Sequence, residues 1–341
     1  MTFLLNIWYL AAWADEVPPG GMLGRRIAGR HVLFLRDDAG AVSAIGDMCP
    51  HRFAPLSQGT CEGGKVRCPY HGLVFDGSGQ CVENPHGPIV SALTVPRWPC
   101  EERHAALWLW LGDASADPGL IPDLSYIDRT PVEARVTGRL HTDADYRLMV
   151  DNIMDLTHAD YVHASSLGGG INSRAKASVE REGDSIGIEW TAFDDQLSPL
   201  HGRFLPETKG RGDFLNRVDW HAPSIMLQRV AFAPPGMLDT APRDSLTCHV
   251  MTPETERSTH YFFCHTSDGV SADPGIAEDV RQALIGAFAG EDSPMLEAQQ
   301  ERIGDAGFWD MKPVLLPSDK GAVLVRRALE SMIAAERGMK G

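Results

Sequence analysis

The chain has 341 residues, with 31 Lys and Arg against 46 Asp and Glu, so its formal net charge at pH 7 is −15. A hydrophobic share of 43% and a charged share of 23% are those of an ordinary globular protein, which excludes a disordered or fibrous chain. Basic clusters drive binding to nucleic acid or to an anionic membrane, so this acidic balance argues against both partners. At roughly 150 residues per domain, the length predicts about two domains.

The N-terminal stretch, residues 3–13, is apolar, but Asn6 interrupts it and no basic residue precedes it. This pattern is typical of a buried first element and not of a secretory signal peptide. No apolar run approaches the ~20 residues that a membrane span needs. The seven cysteines are an odd number, which argues against a secreted disulfide framework and favours a reducing compartment. We therefore expect a cytoplasmic protein without a membrane partner.

The first third of the chain predicts a small domain made of strands. Residues 31–36 and 41–45 are strand-like and flank a turn at 37–40. A second turn of the same kind lies at 76–79, and the apolar run at 106–111 has the length of one more strand. These short strands with tight turns indicate a small antiparallel β domain.

A segment rich in Asp, Ala, Gly and Pro, residues 113–122, follows and is typical of a linker. We therefore predict an all-β domain over residues 1–115 and a second domain over 116–341. The second domain is mixed, with a helical period at 146–161, strand-like runs at 185–191, 225–233, 246–251 and 259–264, and helices near 276–289, 294–303 and 320–337. The order predicts an α+β fold with helices on one side of an antiparallel sheet.

Two short motifs each place one cysteine beside one histidine. Cys49 is followed two residues later by His51, and Cys68 is followed three residues later by His71. Thiolate and imidazole ligands suit either a tetrahedral zinc ion or an iron–sulfur cluster. One cysteine and one histidine per loop favours the cluster, because zinc sites more often pair like ligands in C-x-x-C and H-x₃-H motifs. In a Rieske [2Fe–2S] centre the two cysteines bind one iron and the two histidines bind the other.

The residues around these motifs, CPHRFAPLSQG at 49–59 and CPYHGLVFDGSGQC at 68–81, resemble the Rieske domains of aromatic-ring oxygenases and O-demethylases. Respiratory Rieske proteins carry an additional cysteine in each loop, where this chain has Ala54 and Tyr70, so their bracing disulfide cannot form here. The resemblance therefore implies a [2Fe–2S] cluster of the lower-potential kind that supplies electrons to oxygenases.

A second polar segment, DNIMDLTHADYVH at 151–163, contains His158 and His163. On its own it fits a helix with a solvated face of Asp and His side chains. It also resembles the N-x-x-D-x-x-H-x₄-H motif of Rieske non-haem iron oxygenases, in which two histidines and a distant carboxylate bind Fe(II). At about 100° per residue the histidines lie about 140° apart on an ideal helix, so both reach one metal only if the helix ends, bends or bulges between them. A single-turn π-bulge is one such device.

The carboxylate ligand of that family lies on a late helix, and the resemblance assigns it to Asp292, with Glu291 as the alternative. Asp292 could instead cap a helix whose first turn holds Pro294. In the family the aspartate matching Asp155 is not a ligand; it joins an iron histidine to a cluster histidine of the neighbouring subunit. The alternative for Asp155 is an ordinary surface residue. Asn152 matches a family position close to the iron.

The stretch 249–263 resembles vanillate O-demethylase oxygenase subunits and a related chlorinated methoxybenzoate demethylase. The resemblance implies a homotrimer and a helix-grip catalytic domain, in which a curved antiparallel sheet surrounds a helix. It implies the terminal oxygenase of a monooxygenase that converts a methoxylated aromatic acid into a phenol and formaldehyde with O₂. The chain has no G-x-G-x-x-G dinucleotide motif, so we expect a separate reductase or ferredoxin to deliver electrons from NAD(P)H.

An aromatic carboxylate needs a hydrogen-bonding or cationic anchor inside an apolar cavity, and His249, Gln228 and Arg229 are the candidates by position. Neighbours alternate across a strand, so Gln228 and Arg229 should not both face inward. Residues 164–212 form either a mobile pocket lid or a surface loop. A docking patch for an acidic electron donor is expected at basic residues close to the cluster motifs, namely Arg52, Lys65 and Arg67.

Other functions share some of these features. A ring-hydroxylating dioxygenase has both metal sites but typically a longer chain, and a hydroxylase or N-demethylase differs only in its substrate. A non-catalytic Rieske electron carrier is a remote alternative, because it would leave the residues after the linker without a role. A zinc-binding interaction protein is the alternative from outside the redox classes.

Overall fold

A computed structural model describes residues 3–164 and 168–338. The chain divides into two compact units, Met1–Ser125 and Tyr126–Gly341. The boundary predicted after residue 115 lies inside the first unit, where the linker is held by side chains of the strands. The indole Nε1 of Trp8 donates to the carbonyl of Asp117 at 2.8 Å, which ties this segment to the first unit.

The first unit consists of short antiparallel strands in three sheets. The sheets have the orders β1-β11-β10, β2-β3-β4-β9 and β5-β6-β7-β8. The strands are β1 Trp8–Trp13, β2 Met22–Ile27, β3 Arg30–Arg36, β4 Val42–Gly46, β5 Thr60–Glu62, β6 Lys65–Arg67, β7 Val74–Phe75, β8 Cys81–Glu83, β9 Arg97–Trp98, β10 Cys100–Arg103 and β11 Ala106–Trp110.

Two hydrophobic cores lie on opposite faces of β3 in the first unit. Side chains alternate along a strand, so Phe34 packs into one core while Leu33 and Leu35 pack into the other. Cys49 and Cys68 are part of the second core. Packing therefore fixes the start of both Cys-His loops, whereas the histidines lie farther out.

The second unit is built on one antiparallel sheet of seven strands within the described residues, in the order β12-β18-β17-β16-β15-β14-β13. The predicted α+β fold class, an all-β domain followed by a large antiparallel sheet with helices, is confirmed. The strands are β12 Val136–Thr142, β13 Lys176–Glu182, β14 Ser185–Gln196, β15 Arg211–His221, β16 Ile225–Ala233, β17 Arg243–Thr255 and β18 Ser258–Ser267.

Helices cover the sheet and carry the polar motif. The α-helices are α1 Ser125–Arg129, α2 Tyr146–Met154, α3 Ala159–Val162, α4 Ile171–Arg174, α5 Pro199–Gly202, α6 Asp268–Ala272, α7 Ala277–Ala287, α8 Ser293–Ile303 and α9 Lys320–Gly338. The long helix α9 packs against α2 and β14, and α2 packs against β15 and β17. Across the described ranges, no helix combines the length and the apolar character needed to cross a membrane.

Two predicted segments differ from the structure. The helix expected over 146–161 breaks at Asp155, whose φ of −135° and ψ of 89° are not helical. A lid spanning the whole of 164–212 is wrong, because 176–196 belong to β13 and β14 at the edge of the sheet. Strand β13 is exposed and mostly polar, so it lacks the apolar alternation that reveals a strand. Residues 165–167 lie outside the described part.

Candidate metal centres

The two Cys-His loops have the same hydrogen-bonding pattern. The amide of Cys49 donates to the carbonyl five residues on at 2.9 Å, and its carbonyl accepts from the amide four residues on at 2.8 Å. The loop of Cys68 repeats these bonds at 2.8 and 3.1 Å. The fourth residue after each cysteine, Phe53 or Gly72, has a left-handed φ of 61° or 75°. The loops thus present their ligands as a matched pair.

The four predicted cluster ligands form a pair of histidines and a pair of cysteines. The rings of His51 and His71 lie 4.4 Å apart between centroids. The thiols of Cys49 and Cys68 are buried and contact each other, and burial, with a further contribution from the Cys68 thiol, raises the pKa of Cys49 to about 11. Nδ1 of His71 is buried and has no hydrogen-bond partner in the described residues. A buried imidazole nitrogen without a partner and two paired thiols are donors that a [2Fe–2S] centre uses, so the donor set fits this cluster.

The second unit brings together the three residues predicted as iron ligands. One donor atom each from His158, His163 and Asp292 lies within 4.8 Å of the others. Nε2 of His158 is 3.4 Å from one oxygen of Asp292, and Nε2 of His163 is 3.2 Å from the other. Two imidazoles and one carboxylate with open positions are the donor set of non-haem Fe(II) oxygenases, so these residues fit that metal.

The helix ends just before the second histidine, so the angular separation expected on an ideal helix does not apply to this pair. His158 ends a 3₁₀ turn, α3 follows, and α3 ends at Val162, just before His163. A π-turn does occur, but on the carboxylate side, over Phe288–Asp292, between α7 and α8. Asp292 is helical with φ −73° and ψ −53° and makes no capping hydrogen bond, so it does not act as the helix cap considered above.

The hydrogen bonds of Asp155 differ from those that the resemblance implied. Its backbone carbonyl accepts from Nδ1 of His158 at 2.7 Å, whereas its carboxylate accepts from the amide and hydroxyl of Thr157 at 3.0 and 2.7 Å. In the described part of the chain, the Asp155 carboxylate therefore does not make the expected contact with His158 or His163. Asn152 lies close to the site as predicted, and its Nδ2 donates to Asp292 at 3.1 Å.

Glu291, the alternative ligand, lies on the far side of the His163 ring. Its Oε2 is 2.5 Å from Nδ1, while Asp292 faces Nε2. Burial favours the neutral form of Asp292, but hydrogen bonds from His158 and His163 outweigh it and lower its pKa to about 2. Burial likewise opposes a charge on His163, yet its bonds to Asp292 and Glu291 raise its pKa. The site therefore favours a carboxylate anion facing two imidazoles.

A buried ion pair that the sequence did not reveal lies behind the motif. Nε of Arg326, on α9, donates to Oδ2 of Asp151 on α2 at 2.6 Å. The guanidinium also lies 4.0 Å from the ring centre of Phe308. Burial raises the pKa of Asp151 to about 6 despite the arginine. No local motif signals this pair, because its members are 175 residues apart.

A line of hydrogen-bonded polar side chains, buried except for the half-buried Gln228, crosses four strands beside the candidate iron site. Nδ1 of His249 is 2.8 Å from the hydroxyl of Tyr261, its Nε2 is 2.9 Å from Oε1 of Gln228, and Nε2 of Gln228 is 3.0 Å from Oδ1 of Asn216. The ring of Phe288 lies 4.6 Å from that of Tyr261 and 5.6 Å from that of His249. Burial lowers the pKa of His249 to about 3, so its imidazole is neutral.

Arg229 does not join this line. It is exposed and forms an ion pair with Asp244 at 2.6 Å, on the opposite face of β16 from Gln228. The two neighbours therefore face apart, as the strand period requires. The sequence alone did not identify Asn216 and Tyr261, because they contact Gln228 and His249 only through the pairing of the strands.

Comparison with known families covers both units. Residues 7–96 match the Rieske [2Fe-2S] domain, and residues 142–335 match the vanillate O-demethylase oxygenase C-terminal domain. The chain belongs to the Rieske non-haem iron oxygenases. As a member of that family, this oxygenase component uses a Rieske cluster and a mononuclear non-haem iron.

Individual relatives of this Rieske oxygenase match along nearly its whole length. The oxygenase component of chloroacetanilide N-alkylformylase from Rhizorhabdus wittichii is 39% identical over 98% of this chain and 97% of its own. The oxygenase component of dicamba O-demethylase from Stenotrophomonas maltophilia is 38% identical over 97% of this chain and 98% of its own. A solved structure of dicamba monooxygenase bound to 3,6-dichlorosalicylic acid superposes with a TM-score of 0.91, at 37% identity and 99% coverage of both chains.

Proposed function

We propose that this oxygenase component catalyses the O₂-dependent O-demethylation of a methoxylated aromatic acid, giving a phenol and formaldehyde. The observation that carries the proposal is the position of Phe288. Its ring packs on His249 and Tyr261 at one end of the π-turn, and Asp292 ends the same turn. A polar anchor for the acid and an oxidising centre for the methoxy group therefore lie side by side. Two of the relatives, acting on dicamba and on vanillate, are named as O-demethylases.

The metal ligands follow from the donor sets. We infer that Cys49, His51, Cys68 and His71 hold the cluster, and that the triad of two histidines and Asp292 described above holds the iron. The cluster supplies electrons and the iron supplies O₂ activation when they are bound. Asn152 keeps the Asp292 carboxylate oriented through its amide. We also propose that Asp155 connects an iron histidine to a cluster histidine of a neighbouring subunit.

Substrate binding is assigned to His249 and Gln228. His249 is buried and neutral, and Gln228 is half-buried on the same face of the sheet. His249 is bonded at both nitrogens and so orients Gln228, whose amide has a second N–H group to donate to a carboxylate beside the N–H that binds Asn216. The ring of Phe288 supplies the aromatic surface next to them. Arg229 is left out of this assignment because Asp244 already binds it.

Electrons must come from another protein. A ferredoxin or flavin reductase that oxidises NAD(P)H is the proposed donor. Arg52 and Lys65 are exposed near the cluster and suit an acidic partner, whereas Arg67 already binds Glu83 at 2.9 Å. Free cysteines throughout the chain agree with a cytoplasmic location.

A homotrimer is proposed because each unit exposes aromatic side chains next to its metal site. Phe53 and Tyr70, in the cluster loops, are 69% and 60% exposed, and Tyr161, between the iron histidines, is 79% exposed. Aromatic side chains are enriched at surfaces that another protein covers. Contact between the cluster face of one copy and the iron face of the next accounts for both.

A substrate screen tests the proposal. The purified oxygenase, with cluster and iron loaded, is reduced anaerobically and then given O₂ and a panel of methoxybenzoates. We expect formaldehyde and the matching phenol in equal amounts from at least one compound. N-alkyl anilides belong in the panel, because one relative is named for N-dealkylation and that activity is the second candidate. A cis-diol product, or no product from either group, would contradict the proposal.

A further inference from the structure

The two iron histidines are held in different ways. Nδ1 of His158 faces a neutral backbone carbonyl, that of Asp155, at 2.7 Å. Nδ1 of His163 faces the carboxylate of Glu291 at 2.5 Å. The formal charge on the acceptor makes the second contact the stronger hydrogen bond. Among the described residues, Nδ1 of His163 therefore has a side-chain partner, whereas Nδ1 of His158 has a backbone carbonyl.

Consecutive residues place carboxylates on both sides of one imidazole. Asp292 faces Nε2 of His163 at 3.2 Å, and Glu291, one residue earlier, reaches Nδ1. Both residues lie in the π-turn, whose wider backbone interrupts the regular helix at this point. The longer glutamate side chain spans the ring edge while the shorter aspartate remains on the metal-facing side.

We propose that Glu291 is a positioning residue that sets the tautomer and orientation of His163. The inference rests on the proposed metal site. A neutral imidazole carries one proton, and a carboxylate at Nδ1 keeps that proton there, which leaves the Nε2 lone pair for Fe(II). The same hydrogen bond makes Nε2 a more basic ligand and stops the ring from rotating. Glu291 acts only through His163.

The environment of Glu291 separates this role from a role in folding. Its side chain is 36% exposed, and His163 is its hydrogen-bond partner among the described residues. The ring of His163 is itself buried, so it cannot exchange this partner for bulk water without moving. Losing the glutamate should therefore disturb the ligand and leave the surrounding helices intact.

Iron affinity is the test. Fe(II) binding to iron-depleted protein with an intact cluster is measured by competition with a chelator, for the parent, Glu291→Ala and Glu291→Gln. We expect Glu291→Ala to weaken binding by about 10- to 100-fold, the usual cost of losing such a partner. Glu291→Gln should recover most of this loss, because its amide oxygen can still accept from Nδ1. Glu301→Ala, an exposed glutamate on the following helix, is the matched control and should bind as the parent does.

Thermal unfolding of the iron-depleted variants separates positioning from folding, and it should be unchanged in all of them. The inference is overturned if Glu291→Ala binds Fe(II) as tightly as the parent. It is also overturned if Glu291→Gln binds as weakly as the alanine variant. A His163→Ala variant tests the premise: if it and the parent bind Fe(II) equally poorly, the proposed metal site fails and the inference with it.

Discussion

At the scale of single residues, burial decides the charge state of His249 beside the candidate iron site. His249 is buried, packs against two aromatic rings and is bonded at both nitrogens. Its pKa of about 3 is far below that of an exposed histidine. The imidazole therefore orients its polar neighbours without adding a positive charge.

The low pKa of His249 predicts that the free energy of unfolding depends on pH. Below about pH 6.5 the unfolded chain binds a proton at this residue and the folded chain does not, so folding stability falls as the pH falls toward 3. Replacing His249 with Gln removes this linkage. The difference in free energy of unfolding between parent and variant should shrink by up to about 1.4 kcal/mol per pH unit below 6.5. Urea denaturation between pH 5 and 8 measures it, and a pH-independent difference would contradict the prediction.

Residue identity could be predicted where the ligand chemistry has few solutions. Cysteine and histidine in matched loops have few other uses, so their spacing was enough to predict the cluster ligands. His158 and His163 were predicted from the resemblance of their segment to the family motif, because alone it also fits a helix with a solvated polar face. Asp292 and Glu291 could not be ranked in this way, because adjacent carboxylates have the same chemistry. Only the π-turn decides which one faces the other ligands.

At the scale of secondary structure, α9 holds the segment that carries the site. Its Arg326 binds Asp151 on α2, one residue before Asn152. Both charges are largely buried, with side-chain exposures of 4% for the arginine and 22% for the aspartate. A pair in this position orients α2 only while both members are present, because either charge alone would be desolvated without compensation.

Removing one member of this pair should be costly. Arg326→Met keeps most of the side-chain volume but leaves the carboxylate of Asp151 buried and unpaired. We expect the free energy of unfolding to fall by about 3–5 kcal/mol at neutral pH. The double variant with Asp151→Asn should recover part of the loss. Chemical denaturation measures both, and a loss below about 1 kcal/mol in the single variant would show that water already compensates the charge.

Elements with apolar periodicity could be predicted and those without it could not. The strand at 225–233 coincides with Ile225–Ala233, because its inner face is buried. The end of the helix at Asp155 could not be predicted, because apolar residues continue at a helical spacing on both sides of this residue. Its cause is a side chain that caps the next turn through Thr157, a local contact that periodicity does not register.

At the scale of the whole molecule, each compact unit carries one of the two metal centres. The proposed homotrimer places a neighbouring copy against the exposed aromatic residues beside each centre. In a cyclic trimer every contact is the same, so the proposal predicts that the cluster of one copy supplies the iron of the next.

Mixed trimers test this arrangement. A cluster-deficient variant, Cys68→Ser, and an iron-deficient variant, His158→Ala, should each be inactive alone. Co-expressed, they should regain about one third of parental turnover in trimers that contain both variants, because one of the three cluster–iron contacts in each such trimer joins an intact cluster to an intact iron site. Turnover is measured on trimers that carry both affinity tags. Inactive mixed trimers, or a monomer in sedimentation experiments, would contradict the arrangement.

The five-residue turn Phe288–Asp292 has a mechanical consequence. Its first side chain packs on the rings of His249 and Tyr261, and its last two are Glu291 and the candidate ligand Asp292, with less than two turns of backbone between them. A displacement of the Phe288 ring should therefore also shift the two carboxylates, because so short a stretch of backbone cannot absorb the movement. In the proposed oxygenase we expect a substrate that presses on this ring to change the geometry of the iron ligands.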